Sequence, residues 1–259
     1  MRASPFSVSP TTRNLTALLE LRDVTKAYGG LIAVNRASFV VESGTITALI
    51  GPNGAGKTTA FDTISGVVTA DSGSIKYDGA EIGGLMPHRV TAQGIGRTFQ
   101  ITRELGDMTV LENMVVPKAN RGLRALIGPR IELSEQERAM DVLDFVGIAG
   151  LADLPANLLS YGQKKLLELA SILMTQPRLV LLDEPAGGVN PALLERIMDR
   201  IETLNAGGTT FLIVEHNMDV VMRLSHSIIV MAHGQVILQG PPETVREDGR
   251  VLEAYLGGV

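Results

Sequence analysis

Apolar and polar residues alternate with period two over Leu19-Glu20-Leu21-Arg22-Asp23-Val24, and more loosely over Ala37-Ser38-Phe39-Val40-Val41. That rhythm predicts half-buried strands. The clusters Glu42-Ser43-Gly44, Asp71-Ser72-Gly73-Ser74 and Asp78-Gly79 read as turns, with a short strand at Ser74-Ile75-Lys76-Tyr77 between the last two. A small antiparallel sheet is the expectation for Leu18 to Tyr77. Inside this region an apolar, β-rich run, Thr45 to Ile50, is followed by a helix-compatible stretch from Lys57 to Val67.

The period changes near Met108. Asp107 to Glu112 opens a helix, and Ser134 reads as an N-cap with Glu137 three residues on. Met140, Leu143 and Val146 keep helical spacing, and Ser160 caps a helix running through Leu166, Leu169, Ala170 and Leu173. The basic, Gly-punctuated segment from Lys118 to Arg130 reads as a loop or broken helix. After Pro177 a β/α pattern resumes: strand Leu179–Leu182, helix Pro191–Asn205, strand Thr210–Val214 and helix Met218–Leu224. Strands Ile228–Ala232 and Gln235–Gln239 then flank the hairpin signal His233-Gly234, and a helix from Glu243 to Leu256 follows. The pattern as a whole predicts an α/β chain with a helical insertion, without repeats or heptads.

Composition narrows this only modestly. The chain has 259 residues, 45 % hydrophobic and 20 % charged, which suits one large α/β domain or a core with a small appendage. A formal net charge of −5 argues against a nucleic-acid binder held by a basic surface. Without cysteine there are no disulfides, thiolate metal sites or cysteine nucleophiles. No apolar run approaches the roughly 18 residues of a membrane span, so a membrane role is expected to come through a partner. Met1 to Thr16 is rich in Ser, Thr and Pro and lacks the apolar core of a signal peptide. Residues 1–17 are therefore expected to be a disordered extension.

Chemistry enters at Gly51-Pro52-Asn53-Gly54-Ala55-Gly56-Lys57-Thr58-Thr59, which fits G-x-x-x-x-G-K-[ST] between a strand and a helix. Glycines let backbone N–H groups turn toward a polyphosphate, and the helix N-terminus adds positive dipole. Lys57 supplies a point charge for β- and γ-phosphates, and the Thr58 hydroxyl is placed to reach Mg²⁺. The apolar strand Leu179–Leu182 ends at Asp183-Glu184-Pro185. A carboxylate at the tip of a buried strand beside a P-loop is where Mg²⁺ needs a ligand, which suits Asp183. Glu184 is then placed to polarise water in line with the γ-phosphate. Leu159-Ser160-Tyr161-Gly162-Gln163 precedes an amphipathic helix; by itself it is an ordinary N-cap.

In order along the chain, Tyr28, Gly51–Thr59, Gln100, Leu159–Gln163, Leu179–Glu184 and His216 resemble the nucleotide-binding subunit of ABC transporters over essentially everything after residue 18. The resemblance implies a P-loop NTPase (RecA-like) core with a small antiparallel β subdomain, both drawn from residues 18–100 and 177–259, and an inserted α-helical subdomain at 101–176. It implies that Tyr28 stacks on the adenine of ATP. Gln100 would contact Mg²⁺ or water and sense the transmembrane partner, and His216 would contact the γ-phosphate and orient Glu184. Ser160, Gly162 and Gln163 would meet the nucleotide of a second ATPase subunit, a copy or a paralogue. His88, His226 and His233 are expected to be structural. Tyr161 and Asn190 depart from the family consensus, which has Gly and Asp there. Both variants, with Arg97-Thr98-Phe99-Gln100 and the ending Ala254-Tyr255-Leu256-Gly257, resemble the ATPases of branched-chain amino-acid importers, LivG type. That subfamily implies permease subunits in the membrane, a periplasmic solute-binding protein as indirect partner, a place on the cytoplasmic face of a bacterial inner membrane, and no nucleic-acid partner. Importers of urea or short amides share much of the pattern. A lipid exporter and a nucleic-acid- or ribosome-acting ATPase fit it less well.

Overall fold

The computed structural model describes residues 16–98, 105–115 and 133–256. In chain order the first elements are β1 (Ala17–Tyr28), β2 (Leu31–Glu42), β3 (Ile46–Ile50), α1 (Lys57–Ile64), β4 (Ser72–Tyr77), β5 (Ala80–Glu81), α2 (Pro87–Ala92) and β6 (Ile95–Arg97). The helices α3 (Val110–Val115), α4 (Leu133–Val146) and α5 (Tyr161–Leu173) follow. Then come β7 (Leu179–Asp183), α6 (Pro191–Ala206), β8 (Thr210–Val214), α7 (Met218–Leu224), β9 (Ser227–Ala232), β10 (Gln235–Gly240), α8 (Pro242–Glu247) and α9 (Gly249–Leu256).

The period-two segments build the expected antiparallel sheet, in the order β2-β1-β4-β5. Leu19, Leu21 and Val24 are buried, but Arg22 and Asp23 both face out. The register shifts between Leu21 and Val24, and Asp23 takes a left-handed φ of 49°. A bulge of this kind puts one extra residue between inward-facing positions and twists the ribbon over the neighbouring layer.

The continuous apolar runs behave differently. They form a six-stranded sheet ordered β10-β9-β3-β8-β7-β6, parallel from β9 through β6 with β10 antiparallel at the edge. Every residue of β3, β7 and β8 is buried, as strands covered on both faces require. Side chains alternate between the faces. Leu179, Leu181, Leu212 and Val214 pack with α1 and the antiparallel sheet. Val180, Leu182, Phe211 and Ile213 pack with α3, α4, α5 and α6, so the helical insertion shares one apolar cluster with the sheet. Polar ties lock the layers. The Gln239 amide donates to Val40 O at 2.7 Å and accepts from Val40 N at 3.2 Å, joining β10 to β2. Asn205 donates to Gly44 O, and Thr210 Oγ1 accepts from Gly44 N.

Several elements differ from expectation. The helix after the P-loop stops at Ile64, where Ser65 and the left-handed Gly66 (φ 73°) close it, rather than reaching Val67. The C-terminal helix is two helices, because Asp248 is extended (ψ 120°) and its carboxylate accepts from the Arg250 N–H. Ser134 lies within α4, not at its cap. β6 is only three residues long and gave no periodicity to read. The segment Lys118 to Arg130 and most of the N-terminal extension lie outside the described residues.

Phe61 on α1 is fully buried between the two sheets, with the Arg97 guanidinium 5.8 Å from its ring centroid. Phe61→Ala should lower the unfolding free energy by about 3–5 kcal/mol in urea titrations, while Phe61→Leu should cost well under half of that.

Candidate nucleotide site

The P-loop runs from the end of β3 into α1, and its backbone is set by what surrounds it. Gly51 takes φ 150°, and a Cβ there would lie 2.1 Å from Met231 O on β9. Gly56, the N-cap of α1, takes φ 98°, and its Cβ would lie 2.3 Å from Ala33 O on β2. Only glycine fits at either place. The turn His233-Gly234 closes the frame, with Gly234 N–H donating to Ala55 O and Asn35 N–H to Gly234 O. The loop is thus gripped between the parallel sheet and β2, with Asn53, Gly54 and the Thr58 side chain exposed, Pro52 and Thr59 half-buried.

Lys57 is buried at 6 % exposure. Its Nζ donates to Gly51 O at 2.7 Å and Pro52 O at 3.0 Å. Burial pushes its pKa down, and the Glu184 and Asp183 carboxylates push it back up. These carboxylates reach Lys57 because β3, β8 and β7 are parallel neighbours whose C-terminal ends share one edge.

Asp183, the last residue of β7, is 4 % exposed. Burial raises its pKa above the usual carboxylate range, against the pull of Arg97; Glu184 and Asp62 add to the rise. Its N–H donates to Thr98 Oγ1 at 3.0 Å. Oδ2 is 3.8 Å from Arg97 Nη2, whereas the buried Oδ1 has no hydrogen-bond partner. A buried carboxylate oxygen left without a hydrogen-bond partner suits a hard, oxygen-seeking cation such as Mg²⁺. Among the described residues no group of three His, Cys, Asp or Glu side chains could hold a metal.

Glu184 follows in a left-handed conformation, φ 49°, and its N–H donates to Val214 O. Its Oε1 lies 3.1 Å from His216 Nε2, so the two residues expected to act on water are neighbours. Tyr28 ends β1, 48 % exposed, with Lys26 Nζ 5.5 Å from its ring centroid. Gln100 lies outside the described residues.

The segment Leu159–Gln163, the signature that the family resemblance rests on, stands apart. Ser160 and Gln163 form a capping box at the start of α5, with Ser160 N–H donating to Gln163 Oε1 at 2.8 Å. A Cβ on Gly162 would meet Leu193 Cδ2 of α6 at 2.1 Å, so the close approach there is made by the chain's own helix. Among the described residues no hydrogen bond links Ser160, Gly162 or Gln163 to the P-loop. Asn190 caps α6, its Oδ1 accepting from Leu193 N at 2.9 Å, a role that Asp fills equally well.

Three contributors gave little sequence signal. Glu215 is buried at 3 %; its Oε1 accepts from Ala186 N at 2.7 Å and its Oε2 from His216 N and Asn217 N at 2.8 and 3.0 Å. It ties the loop after Glu184 to the loop bearing His216. Arg97 donates to Asp62 Oδ1 at 2.7 Å and Ser65 Oγ at 2.6 Å while facing Asp183. Lys165 Nζ donates to Glu184 O. A charged residue beside an apolar strand end was the available hint for Glu215 and Arg97. Of the histidines expected to be structural, His226 accepts from Ile46 N through Nδ1 at 3.1 Å, and His233 occupies the β9–β10 turn at φ 50°.

The chain is similar to known proteins in sequence and in fold. The family model described as ABC transporter matches residues 34–187. A relative from Archaeoglobus fulgidus, named as a probable branched-chain amino acid transport ATP-binding protein LivG, is 41 % identical over 245 residues, covering 93 % of this chain and 95 % of its own. The crystal structure of an ABC transporter's ATP-binding cassette in its ADP conformation superposes with a TM-score of 0.84 at 35 % identity, covering 93 % of this chain and 99 % of that one. A dimeric post-hydrolysis cassette bound to ADP and Pi superposes with a TM-score of 0.76 at 25 % identity, covering 86 % and 98 %. By sequence and by fold, the chain belongs to the ABC transporter family and is built as one of its ATP-binding cassettes.

Proposed function

We propose that this chain is the ATP-binding and ATP-hydrolysing subunit of an importer that takes up branched-chain or related amino acids through separate membrane permeases. The observation that carries the hydrolytic part is the convergence of buried Lys57 with Asp183 and Glu184, with His216 Nε2 3.1 Å from Glu184 Oε1. The importer and its substrate class rest on the likeness to the LivG protein of Archaeoglobus fulgidus. No described helix is long and apolar enough to cross a membrane, which agrees with attachment through permease subunits at the cytoplasmic face. A periplasmic solute-binding protein would act on those permeases from the other side.

In this reading the P-loop, Gly51 to Thr59, wraps the polyphosphate with backbone N–H groups. Lys57 neutralises charge on the β- and γ-phosphates, and Tyr28 stacks on adenine. Thr58, Asp183 and Gln100 would hold Mg²⁺, which when bound spreads the charge of the phosphoryl group. Glu184 accepts a proton from the attacking water, and His216 fixes the carboxylate and faces the γ-phosphate. Glu215 keeps these two residues on adjoining loops. Ser160, Gly162 and Gln163 serve the nucleotide of a second subunit; a related cassette bound to ADP and Pi is dimeric. The helical segment 101–176, with Gln100 at its entry, passes closure of the two subunits to the permeases.

Glu184→Gln should bind ATP as tightly as the wild type in equilibrium titrations and lose turnover by roughly 10²–10⁴-fold. Near-normal hydrolysis by that variant contradicts the assignment of the base. Glu215→Gln keeps one acceptor oxygen of two; its kcat should fall by about tenfold or more with little change in KM for ATP, as expected when two catalytic groups are misplaced rather than removed. In cells, deleting the gene for this chain should abolish uptake of labelled leucine, isoleucine and valine, with rescue by the wild type but not by Glu184→Gln. Unchanged uptake of all three, with loss of urea or short-amide uptake, would move the substrate class.

A further inference from the structure

Tyr161 stands where the family consensus has glycine, and the chemistry above makes no use of its ring. In the fold the ring covers the turn that follows Glu184. A Cβ on Gly188, which takes φ 70°, would lie 2.9 Å from Tyr161 Cε1. The same ring centroid is 5.5 Å from Lys165 Nζ, one helical turn further along α5. Residues four apart on a helix share a face, so both side chains project from the start of α5 toward the end of β7.

Lys165 is not simply a solvated charge. Its Nζ donates to the Glu184 carbonyl oxygen, which also accepts from Gly187 N–H at 3.0 Å. Nζ further lies 3.6 Å from where a Gly187 Cβ would stand. Glu184 holds a left-handed φ of 49°, an unfavourable conformation for a residue with a Cβ. Such a conformation persists only when its surroundings fix it, and here two donors fix its carbonyl. Fixing the backbone there fixes the direction of the Cα–Cβ bond, and the carboxylate it carries lies 3.1 Å from His216 Nε2. The ammonium in turn is placed by the tyrosine face through a cation–π contact.

We propose that Lys165 is a positioning residue for Glu184, and that Tyr161 positions Lys165 and the Gly187-Gly188 turn. The start of α5 and the carboxylate of the same chain then form one mechanical unit. The glycine consensus at 161 leaves out the ring that makes this link, so the departure from it adds a contact. This inference rests on the hydrolytic role proposed for Glu184. It adds that a ligand seated on Ser160 to Gln163 bears, through Tyr161 and Lys165, on the hydrolytic centre of the chain that contributes the signature, and not only on the nucleotide it touches.

The test is steady-state ATP hydrolysis by the full chain, at protein concentrations where the rate per subunit has reached its plateau, with Lys165→Met, Lys165→Arg, Tyr161→Ser and Tyr161→Phe. Lys165→Met and Tyr161→Ser should lower kcat by about tenfold or more, with KM for ATP within about threefold of wild type. Their thermal midpoints should stay close to that of the wild type. Lys165→Arg, which keeps a donor, and Tyr161→Phe, which keeps the ring, should recover most of the lost rate. If Lys165→Met does not fold, the Tyr161 pair carries the test alone. A kcat within twofold of wild type in the truncated variants overturns the proposal. So does a loss that appears as raised KM, or one that the conservative variants do not recover. Hydrolysis by the wild type that Glu184→Gln leaves intact would instead remove the role of Glu184, a separate failure visible in the same assay.

Discussion

The site depends on keeping one buried ammonium charged. Lys57 is nearly inaccessible, and desolvation alone favours its neutral form. Two things oppose this: the Gly51 and Pro52 carbonyls that accept its protons, and the Asp183 and Glu184 carboxylates. Asp183 faces the same difficulty with opposite sign. It is buried, its pKa is raised, and its attraction to Arg97 is opposed by Glu184 and Asp62. An arrangement of charges this dry is sensitive to distance, so small displacements of strand ends alter it strongly.

The topology supplies that accuracy. β3 delivers the P-loop and β7 delivers the carboxylates, with β8 hydrogen-bonded between them and every residue of all three buried. Because the three are parallel, their chemical ends fall on one edge. β9 adds Met231 O behind Gly51, and β2, from the other sheet, adds Ala33 O behind Gly56. The antiparallel sheet is thus a wall of the P-loop as well as the carrier of Tyr28. On the other face, the cluster shared by the insertion and the sheet connects the start of α5 to the end of β7 through packed side chains. Lys165 and Tyr161 make that connection specific.

Much of this was readable from the chain, and the reasons differ by element. Short apolar runs such as Leu179 to Leu182 and Phe211 to Val214 had no other economical place than a doubly covered sheet. The P-loop declared itself because its glycines, lysine and hydroxyls have fixed spacing. The bulge at Asp23, the three-residue β6 and the break at Asp248 were not legible in the same way. Each is decided by a tertiary contact or a local hydrogen bond that leaves no periodic trace. The partners of Glu184 were hidden for a related reason. Glu215 and Lys165 read as ordinary strand-end and helix residues, Tyr161 stood out only as a departure from consensus, and only the folded chain brings them to one turn. Asn190 shows the reverse case: a departure from consensus that the fold absorbs as a helix cap.

The central claim is that Lys57, Asp183, Glu184 and His216 act on one phosphate. The most direct measurement is an experimental structure of Glu184→Gln with ATP and Mg²⁺. The account predicts a γ-phosphate within hydrogen-bond reach of Lys57 Nζ and His216, the metal on Thr58 and Asp183, and Ser160 of a second subunit facing the same phosphate. A nucleotide bound away from Lys57, or a γ-phosphate that neither His216 nor a second subunit reaches, would contradict it.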